Sequence, residues 1–166
     1  NSLKTLKKGD IIFGAEGNEK GRSIVIIEDS EMTITNIHGI TINQNSHNLQ
    51  KGIFVKLFLD YYRSKGMVDA YAVGGNGGSL AIKYWNLLKF PNFPSEKEEA
   101  ITRMYYNPDI SYTSSNYDIS SFLNYDNQFN ENAGIYDLDM SIKYLRKKLD
   151  EAIECIINDE EVKIKF

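Results

Sequence analysis

The chain contains little of the residue types that build cross-linked or metal-bound sites: of its 166 residues, one is cysteine and two are histidine. A single cysteine excludes an internal disulfide framework and fits a reducing compartment, so a cytoplasmic protein is expected. His38 and His47 are nine residues apart with no cysteine nearby, which matches no zinc-ligand spacing. Cys155 lies near the apolar side of a helical pattern, which predicts a buried, unreactive thiol.

Long apolar runs and a positive net charge are also absent. The longest apolar runs, such as Ile24–Ile27, are far too short to span a membrane, so no membrane partner is expected. Hydrophobic residues make up 42% and charged residues 25%, which is typical of one soluble domain with a core. A net charge of −4 argues against binding to nucleic acid by bulk charge alone. Between Lys4 and Arg22, however, five basic residues face three acidic ones, which allows a locally basic surface.

The first forty residues carry strand and turn signals. Gly9-Asp10 indicates a turn, Ile11 to Phe13 a short buried strand, and Gly14 to Gly21 a glycine-spaced loop. Arg22 to Ile27 is predicted to return as a second strand. Residues 32–42 alternate β-branched and polar side chains around Gly39, a pattern typical of a strand with a bulge. Lys20 and Arg22 flank Gly21, so a basic pair is predicted on a loop that can approach a polyanion closely.

Three later segments have helical periodicity. The first runs through residues 52–66, with Gly66 as its stop. The second begins at the N-cap Ser95 after two prolines, and its expected buried residues are Ile101, Met104 and Tyr105. The third is capped by Asp139 and carries apolar residues at three- and four-residue steps: Ile142, Leu145, Leu149, Ala152 and Ile156. Residues 107–137 are rich in Asn, Ser, Tyr and Asp and are predicted to be irregular.

Two enzymatic patterns occur in weak form. The glycine-rich stretch at 74–78 lacks the Lys-Ser/Thr that completes a phosphate-binding loop, and it is not placed between a strand and a helix. Asp109, Glu161 and Lys163 resemble the paired carboxylates and lysine of a metal-dependent nuclease. The carboxylate–x–lysine triplet is common by chance, so a nuclease stays an alternative. A helix-mediated protein-interaction domain is the second alternative.

Two stretches carry a resemblance to a known family. "LKKGDIIFGAEGNEKGRSIVI" resembles the strand–glycine loop–strand unit of target recognition domains in specificity (S) subunits of type I restriction–modification systems. "GGNGGSLAIKYWNLLKFPNFPSEKEEAITRMYYNP" is similar to the exit of such domains, and the helix from residue 139 to 157 resembles a spacer helix. The resemblance covers about residues 4–107 and the last helix. It departs from the family at Lys97-Glu98, where Glu-Gln or Lys-Gln is usual, and in the absence of the first strands of the recognition domain.

The resemblance implies an α+β fold: a mixed β-sheet target-recognition domain with short helices and a C-terminal spacer-type helix. Its parts would be an N-terminally incomplete recognition domain (1–94), an exit helix with a polar connecting segment (95–137), and a spacer helix with a tail (138–166). The first residue, Asn1, and the single set of parts suggest a fragment or a half-subunit. "FPNFP" would be a rigid connector to the spacer helix, and Trp85 a packing anchor.

The implied function is sequence-specific DNA binding without catalysis. Double-stranded DNA and the methyltransferase and restriction subunits are the implied partners, together with a homodimer through the C-terminal helix. No metal, cofactor or catalytic residue is expected. Lysine and arginine suit guanine, and asparagine suits adenine. The implied DNA-binding residues are Lys20, Arg22, Ser23, Asn76 and Lys83.

Overall fold

A computed structural model describes residues 4–17, 20–29, 33–34, 39–42, 47–74, 78–80, 82–110 and 122–162. The described strands are β1 (Lys4–Thr5), β2 (Ile11–Gly14), β3 (Ser23–Val25), β4 (Thr33–Ile34) and β5 (Gly39–Ile42). The helices are α1 (Leu49–Ser64), α2 (Met67–Ala70), a 3₁₀ helix (Ile82–Leu87), α3 (Ser95–Arg103), α4 (Phe122–Asn132) and α5 (Ile135–Ile157). The α+β class predicted from the sequence is confirmed.

Two compact units make up the chain, Asn1–Glu99 and Ala100–Phe166. The predicted end of the recognition domain, residue 94, lies five residues before this division. The predicted connecting segment and spacer helix both fall mainly in the second unit. None of the described helices has the length and apolar character needed to cross a membrane.

The first unit is built on a three-stranded sheet in the order β3–β2–β5. Ile11 pairs with Val25 on one side and with Ile42 on the other, and both pairings are antiparallel. All described strand pairs are antiparallel, so the expectation of a mixed sheet is not met. The short connection between β2 and β3 explains one of these pairs, because a hairpin can join only antiparallel strands. Ile11 and Phe13 are fully buried and point to the core, as alternation along a strand requires.

Helix α1 supplies the other side of this core. It begins three residues before the predicted stretch, because the Asn48 side chain accepts a hydrogen bond from the Lys51 N–H at 3.0 Å and caps it. The predicted stop at Gly66 is confirmed, since the helix ends at Ser64 and Gly66 has a φ of +70°. Ile53, Phe54 and Leu59 are buried beneath the sheet, and they supply most of the core that α1 contributes.

The only tryptophan and the proline-bounded segment both pack onto this core. The ring of Trp85 meets buried Phe13 edge-on, with centroids 4.9 Å apart, so its predicted role as a packing anchor is confirmed. Phe93 lies against Phe54 at 5.8 Å, and the Tyr62 hydroxyl donates to the carbonyl of Lys89. The "FPNFP" segment is thus held along α1 by its aromatic rings.

Helix α3 begins at Ser95, as predicted to within one residue. The Lys51 ammonium lies 2.6 Å from the Glu98 carboxylate and ties the start of α3 to α1. The prediction of the buried face of α3 is partly wrong. Met104 is 73% exposed, because the helix ends at Arg103, and Thr102 is the buried residue instead. Ile101 and Tyr105 are half-buried.

The second unit corrects three predictions. Helix α4 occupies residues that were predicted to be irregular. Helix α5 begins at Ile135, four residues before the predicted cap Asp139. Asp137 caps the start of α5: its carboxylate accepts 2.9 Å hydrogen bonds from the backbone N–H groups of Gly134 and Asn107. Cys155 is half-buried rather than enclosed.

Candidate nucleic-acid interface

The loop that joins β2 and β3 closes tightly and approaches α1 and α2. Its backbone is held by hydrogen bonds from Gly14 to Arg22 (2.9 Å) and from Gly21 to Gly14 (2.7 Å). Gly21 has a φ of +81°, and a Cβ there would lie 3.0 Å from the Val68 side chain and 3.2 Å from the Arg63 side chain. Only glycine fits this backbone conformation and this separation without strain. The basic loop is therefore fixed against the C-terminal end of α1.

Lys20 contributes to this contact rather than reaching into solvent. Its ammonium lies 3.0 Å from the carboxylate of Asp69 on α2, and its side chain is only 13% exposed. Much of its charge is therefore matched within the protein. In the structure, Lys20 therefore holds the loop against α2. Its contact with DNA stays a prediction.

Ser23 is buried on the inner face of β3. It pairs with Phe13 across the sheet, and antiparallel partners point to the same face. Its hydroxyl donates to the Asp60 carboxylate at 2.7 Å, and Lys56 forms an ion pair with the same carboxylate. The predicted base-contacting hydroxyl is therefore directed toward α1.

This placement gives a test for Ser23. Ser23→Ala removes one hydrogen bond to a charged group, so we expect the free energy of unfolding to fall by about 1.5–3 kcal/mol. Duplex affinity should be unchanged when both proteins are folded. Urea unfolding monitored by Trp85 fluorescence, together with fluorescence anisotropy of a labelled duplex, measures the two effects separately. Loss of affinity without loss of stability would assign Ser23 to the DNA contact after all.

Three exposed cations lie on or next to the elements that meet here, Arg22 after the loop and Arg63 and Lys65 at the end of α1, and we call these three residues the basic surface. The Arg63 side chain lies close to Gly21 of the loop, and Lys65 follows Arg63 by two residues. The Lys65 ammonium is 5.4 Å from the ring centroid of Tyr61, which is 54% exposed. An exposed ring among cations is a combination suited to a nucleic acid, because the cations meet phosphates and the ring offers a flat apolar face.

The glycine-rich segment is attached to the same loop. Val73 and Ser79 exchange two backbone hydrogen bonds of 3.0 and 3.2 Å, and the Leu80 N–H donates to the Ala15 carbonyl at 2.9 Å. The predicted contact Asn76 lies outside the described residues. Lys83 lies on the 3₁₀ helix, and only its backbone is described. The structure therefore places the glycine-rich segment next to the loop that joins β2 and β3.

Arg63, Lys65 and Tyr61 were not predicted as site residues. Their signal was present as a basic C-terminal turn on an amphipathic helix, a feature that also has an ordinary explanation in the helix dipole. Only the contact between Gly21 and Arg63 shows that this turn adjoins the loop.

The residues of the nuclease alternative are engaged elsewhere or lie outside the description. The Asp109 carboxylate is 2.7 Å from the guanidinium of Arg103. Lys163 is outside the described residues, and Glu161 is on the segment that follows α5. Within the described part of the chain, no three His, Cys, Asp or Glu side chains are grouped so as to hold a metal ion.

Comparison with family models, curated proteins and solved structures found no match to this chain.

Proposed function

We propose that the chain is a non-catalytic DNA-recognition component of a type I restriction–modification system, which directs methyltransferase and restriction subunits to their target. The observation that carries this proposal is the basic surface. It is formed where a glycine-rich hairpin meets the end of α1, in a chain whose net charge is −4. Exposed cations on these elements favour the approach of a polyanion to this part of an otherwise acidic protein.

The arrangement of the cations suits a division of labour between position and sequence. Arg22 is mounted on a closed hairpin and Arg63 on a helix, so their backbones are fixed before DNA arrives. Guanidinium groups bind phosphate or the edge of guanine with two parallel hydrogen bonds. Lys65 and Tyr61 at the edge of the surface would contact the sugar–phosphate backbone. The glycine segment attached through Leu80 supplies a second loop for base contacts.

A second role, helix-mediated protein interaction, is supported by a different observation. No described residue of α5 is buried, although the helix has 23 residues and a continuous apolar stripe. Stripes of this length on a soluble protein mark a surface that another protein covers. In the proposed function this helix carries the assembly contacts and the basic surface carries the DNA contacts.

The DNA contact is tested by reversing two charges. We expect Arg22→Glu/Arg63→Glu to weaken binding to a 20-base-pair duplex of random sequence by about a hundredfold. The slope of log K against log salt should fall by about 2, since two phosphate-neutralising charges are lost. Fluorescence anisotropy over a salt series measures both quantities, and selection from a randomised duplex pool then identifies a preferred sequence.

The matched control is Lys147→Glu, which reverses an exposed charge on α5 in the second unit. It should leave duplex affinity within twofold of the unchanged protein. Trp85 fluorescence verifies that the double variant keeps the fold of the first unit. Equal affinity of the folded double variant and the control would refute the DNA contact at this surface.

A further inference from the structure

Two aromatic side chains of the first unit are exposed beside the packed rings of α1. Tyr61 is 54% exposed and Phe90 is 39% exposed. Both pack against the ring of buried Tyr62, whose centroid is 6.2 Å from that of Tyr61 and 6.1 Å from that of Phe90. Phe58 also packs against Phe90, with centroids 6.4 Å apart. The exposed rings are therefore held in position by neighbouring rings before any ligand arrives.

A lysine accompanies each exposed ring. The Lys65 ammonium near Tyr61 is within the range of a cation–π contact. The carbonyl of Lys89, the residue before Phe90, accepts a hydrogen bond from the Tyr62 hydroxyl. Both lysines are exposed, and neither forms an ion pair with any residue that the structure describes. We call Tyr61, Lys65, Lys89 and Phe90 the aromatic surface.

A similar pair on α5 shows what distinguishes the aromatic surface. Tyr144 is exposed, and the Lys148 ammonium lies 5.8 Å from its ring centroid. Lys148 is also 3.1 Å from the carboxylate of Glu151, so its charge is matched within the protein. Across the described ranges, no second aromatic ring packs against Tyr144. The aromatic surface, by contrast, combines two rings with two ammonium groups whose charge is not matched by a carboxylate.

This combination fits a single strand of nucleic acid. Aromatic rings stack on its bases, and nearby lysines neutralise its phosphates. The bases of a duplex are already stacked on one another, so Tyr61 can reach only the backbone of a duplex. A second copy of this chain is a poorer occupant, because a symmetric contact through this surface would bring its lysines together.

We propose that the aromatic surface binds single-stranded DNA by stacking unpaired bases on Tyr61 and Phe90. The choice of DNA over RNA rests on the proposed function, since stacking alone does not distinguish the two sugars. The Lys65 N–H donates to the Tyr61 carbonyl at 3.1 Å, so helical spacing continues to Lys65. Tyr61 and Lys65 are about 40° apart around α1, whereas Arg63 is about 160° from each. The contacts of Arg63 and of Tyr61 can therefore be removed separately.

Fluorescence anisotropy with labelled 20-nucleotide strands tests the stacking. The unchanged protein should bind a thymidine strand at least about thirtyfold more tightly than an abasic strand of the same charge, which has phosphates but no bases. Tyr61→Ala/Phe90→Ala should remove this preference by weakening binding to the thymidine strand alone. Equal binding of the two strands by the unchanged protein would overturn the proposal.

Single variants separate stacking from other effects. Tyr61→Ala should weaken binding to the thymidine strand at least about fivefold, and Tyr61→Phe, which keeps the ring, should bind within twofold of the unchanged protein. Tyr144→Ala is the matched control and should also bind within twofold. Trp85 fluorescence verifies that each variant keeps the fold of the first unit. An equal loss in Tyr61→Ala and Tyr144→Ala would overturn the assignment to this surface.

The lysines are tested through the salt dependence of binding. Lys65→Gln/Lys89→Gln should lower the slope of log K against log salt by about 1.4, since each phosphate contact to a single strand contributes about 0.7. The variant should weaken binding to the thymidine and abasic strands by the same factor, because both rings remain. An unchanged slope would overturn the assignment of these lysines to the phosphates.

Failure of this proposal is distinguishable from failure of the duplex contact. The Arg22→Glu/Arg63→Glu protein should keep its preference for the thymidine strand, and Tyr61→Ala/Phe90→Ala should keep its duplex affinity within about threefold. Duplex binding without the preference would overturn the stacking site alone, and the preference without duplex binding would overturn the duplex contact alone.

Two further outcomes concern the occupant. Binding to a uridine RNA strand tenfold tighter than to the thymidine strand would overturn the choice of DNA. Sedimentation equilibrium without DNA should show no association that depends on these rings. A dimer that Tyr61→Ala/Phe90→Ala abolishes would make a second copy the occupant and would also overturn the proposal.

Discussion

Replacing Phe54 by alanine is expected to lower the free energy of unfolding of the first unit by about 3–5 kcal/mol. Phe54 has no exposed surface, and its ring packs against Phe58 and Phe93 with centroids 4.8 and 5.8 Å away. Truncation removes the apolar contacts of both neighbours and leaves a cavity that the short strands above cannot fill. For a unit of about 100 residues this corresponds to a decrease in melting temperature of at least about 12 °C.

The single tryptophan makes this measurement specific. Trp85 lies in the first unit against Phe13, so its fluorescence follows unfolding of that unit alone. Phe90→Ala is the matched control, because Phe90 belongs to the same aromatic cluster but is an exposed side chain. It should cost less than about 1.5 kcal/mol. Equal effects of the two substitutions would contradict the assignment of Phe54 to the core.

The first unit was largely predictable because its signals are local. The turn at Gly9, the strand at Ile11, the stop at Gly66 and the helix start at Ser95 each depend on a few neighbouring residues. Helix α4 was not predictable in this way. Its sequence, FLNYDNQFNEN, is rich in weak helix formers, so its stability comes from tertiary contacts. Phe129 is buried, and the Asn107 side chain donates to the carbonyl of Asn132 at 2.9 Å.

The candidate site shows the same division between local and tertiary signals. The basic loop was found from Lys20, Gly21 and Arg22 alone. The direction of Ser23 depends on the strand register, because only its pairing with Phe13 shows that it faces the core. The participation of Arg63 depends on a contact across 42 residues of sequence, which no local pattern contains. The residue types in the sequence indicated where a site would be. Packing determines which of those side chains remain available to bind a ligand.

Gly134 explains why the start of α5 was misplaced from sequence. Because the periodic apolar residues follow Asp139, the sequence predicted a helix cap at that residue. The helix begins one turn earlier, and that turn attaches it to the segment around Tyr105. The N–H groups of Ile135 and Tyr136 donate to the carbonyls of Met104 and Tyr105 at 3.0 and 2.7 Å. These bonds draw the backbone of Gly134 so close to Tyr105 that a side chain has no room.

Gly134→Ala is therefore expected to destabilise the second unit by about 3 kcal/mol or more. Its φ of −81° suits any residue, so the cost is steric: a Cβ would lie 2.4 Å from the carbonyl carbon and oxygen of Tyr105. Circular dichroism at the helix band should show the earlier melting, while Trp85 fluorescence should show the first unit unchanged, since Gly134 and Tyr105 both belong to the second.

The control for this substitution separates crowding from backbone strain. Gly66→Ala has no atom within 4 Å of the new Cβ but places alanine at a φ of +70°. It should cost about 1–2 kcal/mol, and the loss should appear in Trp85 fluorescence because Gly66 ends α1. A Gly134→Ala protein as stable as the unchanged one would contradict the close contact with Tyr105. Because hydrogen bonds to Met104 and Tyr105 attach the first turn of α5, the same result would also remove this support for the position of its exposed stripe.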